Sequence, residues 1–144
     1  MNDQTEVYFA YRLKRVTESI DEIDMLIKMG HWNSVVNKMY YACFYAVGAL
    51  LLRHEVLTKS HSGTLHKFNE VFVKTGKISR EFAKLYAELF DKRQKADYND
   101  NFDLDEQTIM RLYRPCIEFI KQIETLVNQT SPDNSGATFN RNKI

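Results

Sequence analysis

Arg93 is the residue whose type and placement most invite chemistry. It stands in "DKRQKADYND", Asp91 to Asp100, which follows a helical stripe of Phe82, Leu85, Tyr86, Leu89 and Phe90 at i, i+3, i+4, i+7 and i+8. If the helix continues, Arg93 falls on that apolar face and Asp97 follows one turn later. A guanidinium so placed has two uses. It can pair with the carboxylate at i+4, worth roughly a few tenths of a kcal/mol. It can also face a cleft or a subunit interface, where its planar fork suits a bidentate hold on phosphate.

Other polar groups point to the same region. Asn37, Tyr41, Tyr45 and Gly48 recur along the weaker side of an otherwise apolar segment, so Asn37, Tyr41 and Tyr45 join Arg93 as candidate nucleotide or phosphate ligands. Tyr40, Tyr41, Phe44 and Tyr45 could form a base-stacking platform, although aromatics at this spacing in a central helix more often pack a core. Buried hydroxyls need partners, and Asn37, Arg93 and Asp97 are expected to supply them.

The remaining chemistry is thin. His61 and His66 are five apart rather than i, i+4, and no H-E-x-x-H or cysteine cluster accompanies them. Neither a metal site nor a cofactor is expected. The glycines are scattered singly, so no loop is built to cradle phosphates, and "SHSG" reads as a loop in which Ser60 or Ser62 caps a helix. Ser62-Gly63 is not a nucleophile elbow, because no strand precedes it.

These residues must be positioned by helices. Phe9, Leu13, Val16, Ile20, Ile23 and Ile27 mark an amphipathic helix from about residue 4 to 29, stopped by Gly30. "SVVNKMYYACFYAVGALLLR" is apolar nearly all round and should be the most enclosed helix, ending near Glu55. A third helix spans about 62–74. A fourth, capped by Ser79, runs to about Asp97. A fifth follows Asp103 or Asp105, with Pro115 inside it expected to kink rather than abolish it. The polar segment 129–144 reads as a disordered tail beyond a bundle of residues 1–128. No stretch alternates with period two. The expectation is an all-α, up-and-down bundle of four to five helices.

Composition sets the outer limits. The chain has 144 residues, 44% hydrophobic and 27% charged, with a formal net charge of +1. That size suits one domain with a sizeable core, and so small a net charge announces neither nucleic acid nor membrane as a partner. Charge nonetheless segregates: Lys59 to Arg93 carries eight Lys/Arg against four Asp/Glu, whereas Asp97 to Glu106 carries five acids and no base. Cys43 and Cys116 sit in apolar patterns and read as two reduced, buried thiols. The start, "MNDQTEVYFAYR", lacks a basic and apolar leader. The uncharged run Met39 to Leu52, fourteen residues, is too short to span a bilayer. A cytoplasmic protein without a membrane partner is expected.

From about residue 5 to 128 the chain resembles the HEPN domain superfamily, in particular its small stand-alone prokaryotic members. The resemblance is carried by "YYACFYAVGALL", "SHSG", "FVKTGKI" and the R-x-x-A-D-Y of Arg93, Ala96, Asp97 and Tyr98, in that order and spacing. It implies a helical bundle, commonly a homodimer, and often a minimal nucleotidyltransferase as partner in a toxin–antitoxin pair. Some relatives are adenylylated on a tyrosine near the signature. Many are metal-independent RNA endonucleases, whose signature is an arginine followed after four to six residues by a histidine. Arg93 matches that arginine. Tyr98, Asn99 and Asp100 stand where the histidine would be. The resemblance therefore implies binding of nucleotide or RNA phosphate at an Arg-lined dimer cleft. The alternative is a divergent endonuclease using Arg93 with Asp97 or Tyr98.

Overall fold

The computed structural model describes residues 2–129. Within them the chain forms five helices: α1 (Asp3–Met29), α2 (Trp32–Arg53), α3 (His61–Phe68), α4 (Arg80–Tyr98) and α5 (Glu106–Gln129). A π-helical turn, Asn69–Val73, extends α3. There is no strand among the described residues. The tail expected over 129–144 lies, from residue 130 on, outside them.

Each boundary has a local cause. Asn2 caps α1 by accepting from Thr5 N at 2.8 Å. Gly30 ends the helix in the left-handed region, φ 71°, a conformation that glycine adopts without strain. Ser60 caps α3 and Ser79 caps α4, accepting from Gly63 N and Phe82 N. Of the two acids offered for α5, Asp105 is the one that bonds to a first-turn amide, Thr108 N at 2.8 Å. Hydrogen bonds from the Thr108 side chain and then from its backbone amide hold the Asp105 carboxyl below its ordinary pKa. Pro115 lies inside α5, which remains one element. The third helix is shorter than the periodicity implies, because its C-terminal half widens into the π turn that carries buried Phe72 inward.

The centre of the bundle is α2, flanked by α1, α4 and α5. By length and composition α2 could cross a membrane, but 72% of its apolar window is buried inside the bundle. Burial of such surface is what holds the helices together, at about 25 cal/mol per Å² of apolar area. Phe68, Tyr86 and Phe119 form an aromatic cluster linking α3, α4 and α5. Cys43 and Cys116 meet across α2 and α5 with their sulfurs 3.6 Å apart, both free and buried.

One side chain locks the loop that returns the chain from α4 to α5. Asn33, at the start of α2, donates from Nδ2 to Phe102 O and accepts from Leu104 N, both at 2.9 Å. This pins the acidic loop beside the end of α4 and thereby sets where Asp97 lies.

Candidate functional site

The face that α2 leaves incompletely covered is the one carrying Asn37, Tyr41, Phe44 and Tyr45, all half-buried, whereas Tyr40 beside them is fully buried. The platform of four aromatics is thus divided between core and surface. Helix α4 lays Arg93 against it. The guanidinium centre lies 4.6 Å from the Tyr40 ring centroid, 5.7 Å from that of Tyr41 and 6.0 Å from that of Phe90. Such stacking contributes about 0.5–2 kcal/mol, more as the cation is desolvated. Arg93 is 5% exposed, unusual for an arginine.

Its charge is poorly matched from within the chain. The ion pair to Asp97 is long, 3.8 Å from Nη1 to Oδ2. The Asp97 carboxylate instead accepts from Asn37 Nδ2, at 3.2 and 3.4 Å. The buried Nε of Arg93 has no hydrogen-bond partner among the described residues. A buried cation with so distant a counter-charge has unused capacity for an anion.

A further titratable neighbour comes from a different helix. His61, first residue of α3, stacks on Phe44 with ring centroids 4.4 Å apart and places Nδ1 2.6 Å from the Tyr40 hydroxyl. Burial, and then the Arg93 charge, hold the His61 imidazole below its ordinary pKa. Burial pushes the Tyr40 hydroxyl well above its own, against the pull of Arg93. Both groups are therefore neutral at pH 7. With the hydroxyl donating to Nδ1, the ring proton sits on Nε2. Of the partners expected for the buried hydroxyl, Arg93 does bond to Tyr40, whereas Asn37 and Asp97 engage each other and His61 supplies the acceptor that the sequence did not suggest.

Two cavities flank the cluster. One, of about 350 Å³, is lined by Asn33, Ser34, Asn37, Lys38, Ala96 and Asp97. The other, of about 190 Å³, lies on the far side of His61 between α1, α2 and the segment leading into α3.

A sequence model of the HEPN domain family matches residues 10–128. The chain belongs to the HEPN domain family. A UPF0332 protein of Thermotoga maritima is 36% identical over 127 residues, covering 88% of this chain and 96% of that one. A Methanocaldococcus jannaschii protein named as a candidate toxin is 30% identical over 95 residues, 66% of this chain and 65% of that one. A UPF0332 protein of Archaeoglobus fulgidus is 23% identical over 118 residues, 82% of this chain and 94% of that one.

In this HEPN domain the sequence-derived candidates separate into two groups. Arg93, Asp97, Asn37 and Tyr41 converge on one patch. Tyr45 lies one turn beyond Tyr41, with its ring 5.5 Å from the Arg15 guanidinium. Tyr98 is apart from them: it is 81% exposed, and five residues along a helix turns it about 140° away from Arg93. His61 was missed because its partners are not sequence neighbours. The Ser60 cap does mark His61 as the first helical residue, but only the packing of α3 on α2 brings its ring to Tyr40.

Proposed function

We propose that this chain is a toxin-like HEPN protein that holds a phosphate of a nucleotide or of RNA at Arg93. A second copy completes the cleft, and a nucleotidyltransferase is the partner with which the protein acts. One observation carries the reading: Arg93 is buried on the faces of Tyr40 and Tyr41, with an unpartnered Nε and a carboxylate no closer than 3.8 Å. A purely structural ion pair would bring Asp97 into contact rather than leave it to Asn37. The half-buried Tyr41, Phe44 and Tyr45 beside it offer ring faces on which a base can stack. The two Methanocaldococcus relatives named as candidate toxins support the toxin-like assignment. The test is direct. Arg93→Ala should weaken RNA or nucleotide binding at low salt while circular dichroism stays helical; unchanged affinity would remove the site.

A second reading, a divergent metal-independent RNA endonuclease, is favoured by His61. The 2′-oxygen of a ribose, its proton passing to water, attacks phosphorus; the bond to the 5′ oxygen breaks, and that oxygen takes a proton from water as it leaves. The Nε2–H of His61 would hydrogen-bond to the departing oxygen, its Nδ1 being held by the Tyr40 hydroxyl. Arg93 would stabilise the extra charge on the phosphoryl oxygens. Asp97 or Tyr98 could serve in place of His61, although the exposure of Tyr98 weakens its claim. RNA cleavage in chelator that is abolished in both Arg93→Ala and His61→Ala would establish this reading over simple binding.

A further inference from the structure

We infer that the cavity of about 190 Å³ walled by Arg12, Lys59 and His61 is a second phosphate-binding subsite, separate from Arg93 and adjoining it through His61. Its two cations and one imidazole donor come from three segments. Arg12 projects from α1, Lys59 precedes the first turn of α3, and His61 opens that helix. Ser60 and Gly48 complete the walls that matter.

Arg12 is held in place by the backbone of α2. Its Nη1 donates to Gly48 O at 2.9 Å. A side chain at position 48 would crowd it: a Cβ there would lie 3.2 Å from Arg12 Cδ and 3.3 Å from Nη1, so the arginine would have to shift. Burial pulls the Arg12 guanidinium below its ordinary pKa, so its charge is only partly hydrated. Yet among the described residues neither Arg12 nor Lys59 forms an ion pair with a carboxylate. A partly desolvated cation with one carbonyl for a partner is stabilised by an incoming anion.

The hydroxyls sort by their bonds. Thr64 donates to Ser60 O at 2.9 Å, so the 2.7 Å contact between Thr58 and Thr64 uses the Thr58 proton. Ser60 Oγ accepts from Gly63 N and lies 3.4 Å from the Ser62 hydroxyl; with Ser62 donating, the Ser60 proton can turn to a ligand. With the ring proton of His61 on Nε2, the cavity offers four kinds of donor and no anionic acceptor. A space of about 190 Å³ suits a phosphate group better than a whole nucleoside. Along α2, Gly48 under Arg12 is eight residues from Tyr40 under Arg93, about 12 Å. One phosphorylated ligand could therefore reach both cations, with the Phe44 and Tyr45 rings lying between.

The inference borrows its ligand class from the Arg93 reading, but the two can fail separately. Titrate inorganic phosphate into the full chain and follow the His61 ring signals by NMR. Use 5′-AMP as the free nucleotide, a 5′-hydroxyl oligoadenylate as the RNA and adenosine as the uncharged control. Phosphate should shift His61 and adenosine should not. Movement by AMP but not the oligomer identifies a nucleotide site, and the reverse identifies an RNA site. Lys59→Gln, an exposed change that should not disturb folding, and Arg12→Gln should each weaken inorganic phosphate by about tenfold, equivalent to about 1.4 kcal/mol. Arg93→Ala should leave that affinity within about twofold. Should Arg12→Gln fail to fold, Lys59→Gln decides. A His61 signal that phosphate never moves overturns the subsite, and so does a loss of phosphate binding that follows Arg93→Ala but not Lys59→Gln. The Arg93 reading is judged apart, by whether Arg93→Ala weakens RNA binding.

Discussion

The Tyr40 hydroxyl and the Nδ1 of His61 lie 2.6 Å apart, joining the most enclosed helix to the first residue of α3. The bond ties the loop segment before α3 to the core and holds the imidazole between the Arg93 cluster and the smaller cavity. Tyr40→Phe should keep the ring on which Arg93 stacks but remove the donor to Nδ1. We expect a loss of about 1 kcal/mol by urea denaturation. The nitrogen-15 shifts of His61 should also reveal a mixture of tautomers. An unchanged tautomer would show that the hydroxyl does not orient the ring.

Folding stability should fall on the acid side of neutrality. Burial pulls His61 and His54 below their ordinary pKa of 6.5, aided by Arg93 in one case and Lys77 in the other. Between the lowered and the ordinary values the unfolded chain binds more protons, so stability rises with pH there and is lost as pH falls. Melting temperatures should be flat above about pH 7 and decline below about 6.5. The double variant His54→Gln/His61→Gln should lose most of that slope, whereas a slope retained in full would place its origin elsewhere.

Arg93 and Asp97 should part company when each is removed. Arg93→Ala forfeits the stacking on Tyr40, about 1 kcal/mol, and should reduce RNA affinity about tenfold at low salt. The slope of log affinity against log salt should shrink by about 0.7 for each phosphate of a single strand that Arg93 no longer neutralises. Asp97→Ala breaks a long ion pair and an exposed bond to Asn37, so less than about 1 kcal/mol should go and affinity should not fall. Equal losses of stability with no change in affinity would make the pair purely structural.

Gly48→Ala separates helix stability from the proposed phosphate cavity. Alanine should stabilise α2 by about 0.5–1 kcal/mol through backbone entropy. The new methyl would also press on Arg12 at 3.2–3.3 Å and push it off the Gly48 carbonyl. The melting temperature should move little, while inorganic phosphate binds more weakly in calorimetry. Undiminished binding would show that Arg12 finds the cavity from another position.

A second copy of the chain should complete the Arg93 cleft. The half-buried Tyr41 and Tyr45, with the exposed Tyr11 whose ring centroid lies 6.5 Å from that of Tyr45, give apolar area for a partner to cover. Light scattering at micromolar concentration should report about twice the chain mass of 17.0 kDa. A clean monomer would confine any ligand to one chain.

Helix order, the central place of α2, the stop at Gly30 and the cap at Ser79 were legible in the sequence, because periodicity and capping are local, and the cap of α5 was narrowed to Asp103 or Asp105. Arg93 was legible too, as a cation on an apolar stripe, and Asp97 as its neighbour one turn on. What packing decided is which groups meet. The i, i+4 spacing allows the Arg93–Asp97 pair, but the docking of α2 gives Asp97 to Asn37 and leaves the pair at 3.8 Å. Tyr98 is five residues from Arg93, yet helical rotation carries it to solvent. His61 stands 32 residues before Arg93 in the chain. Arg12 precedes Gly48 by 36. No local pattern encodes either approach. Hydrogen bonds and charge act over a few ångströms of space regardless of chain separation, so the site became visible only once the helices had been packed together.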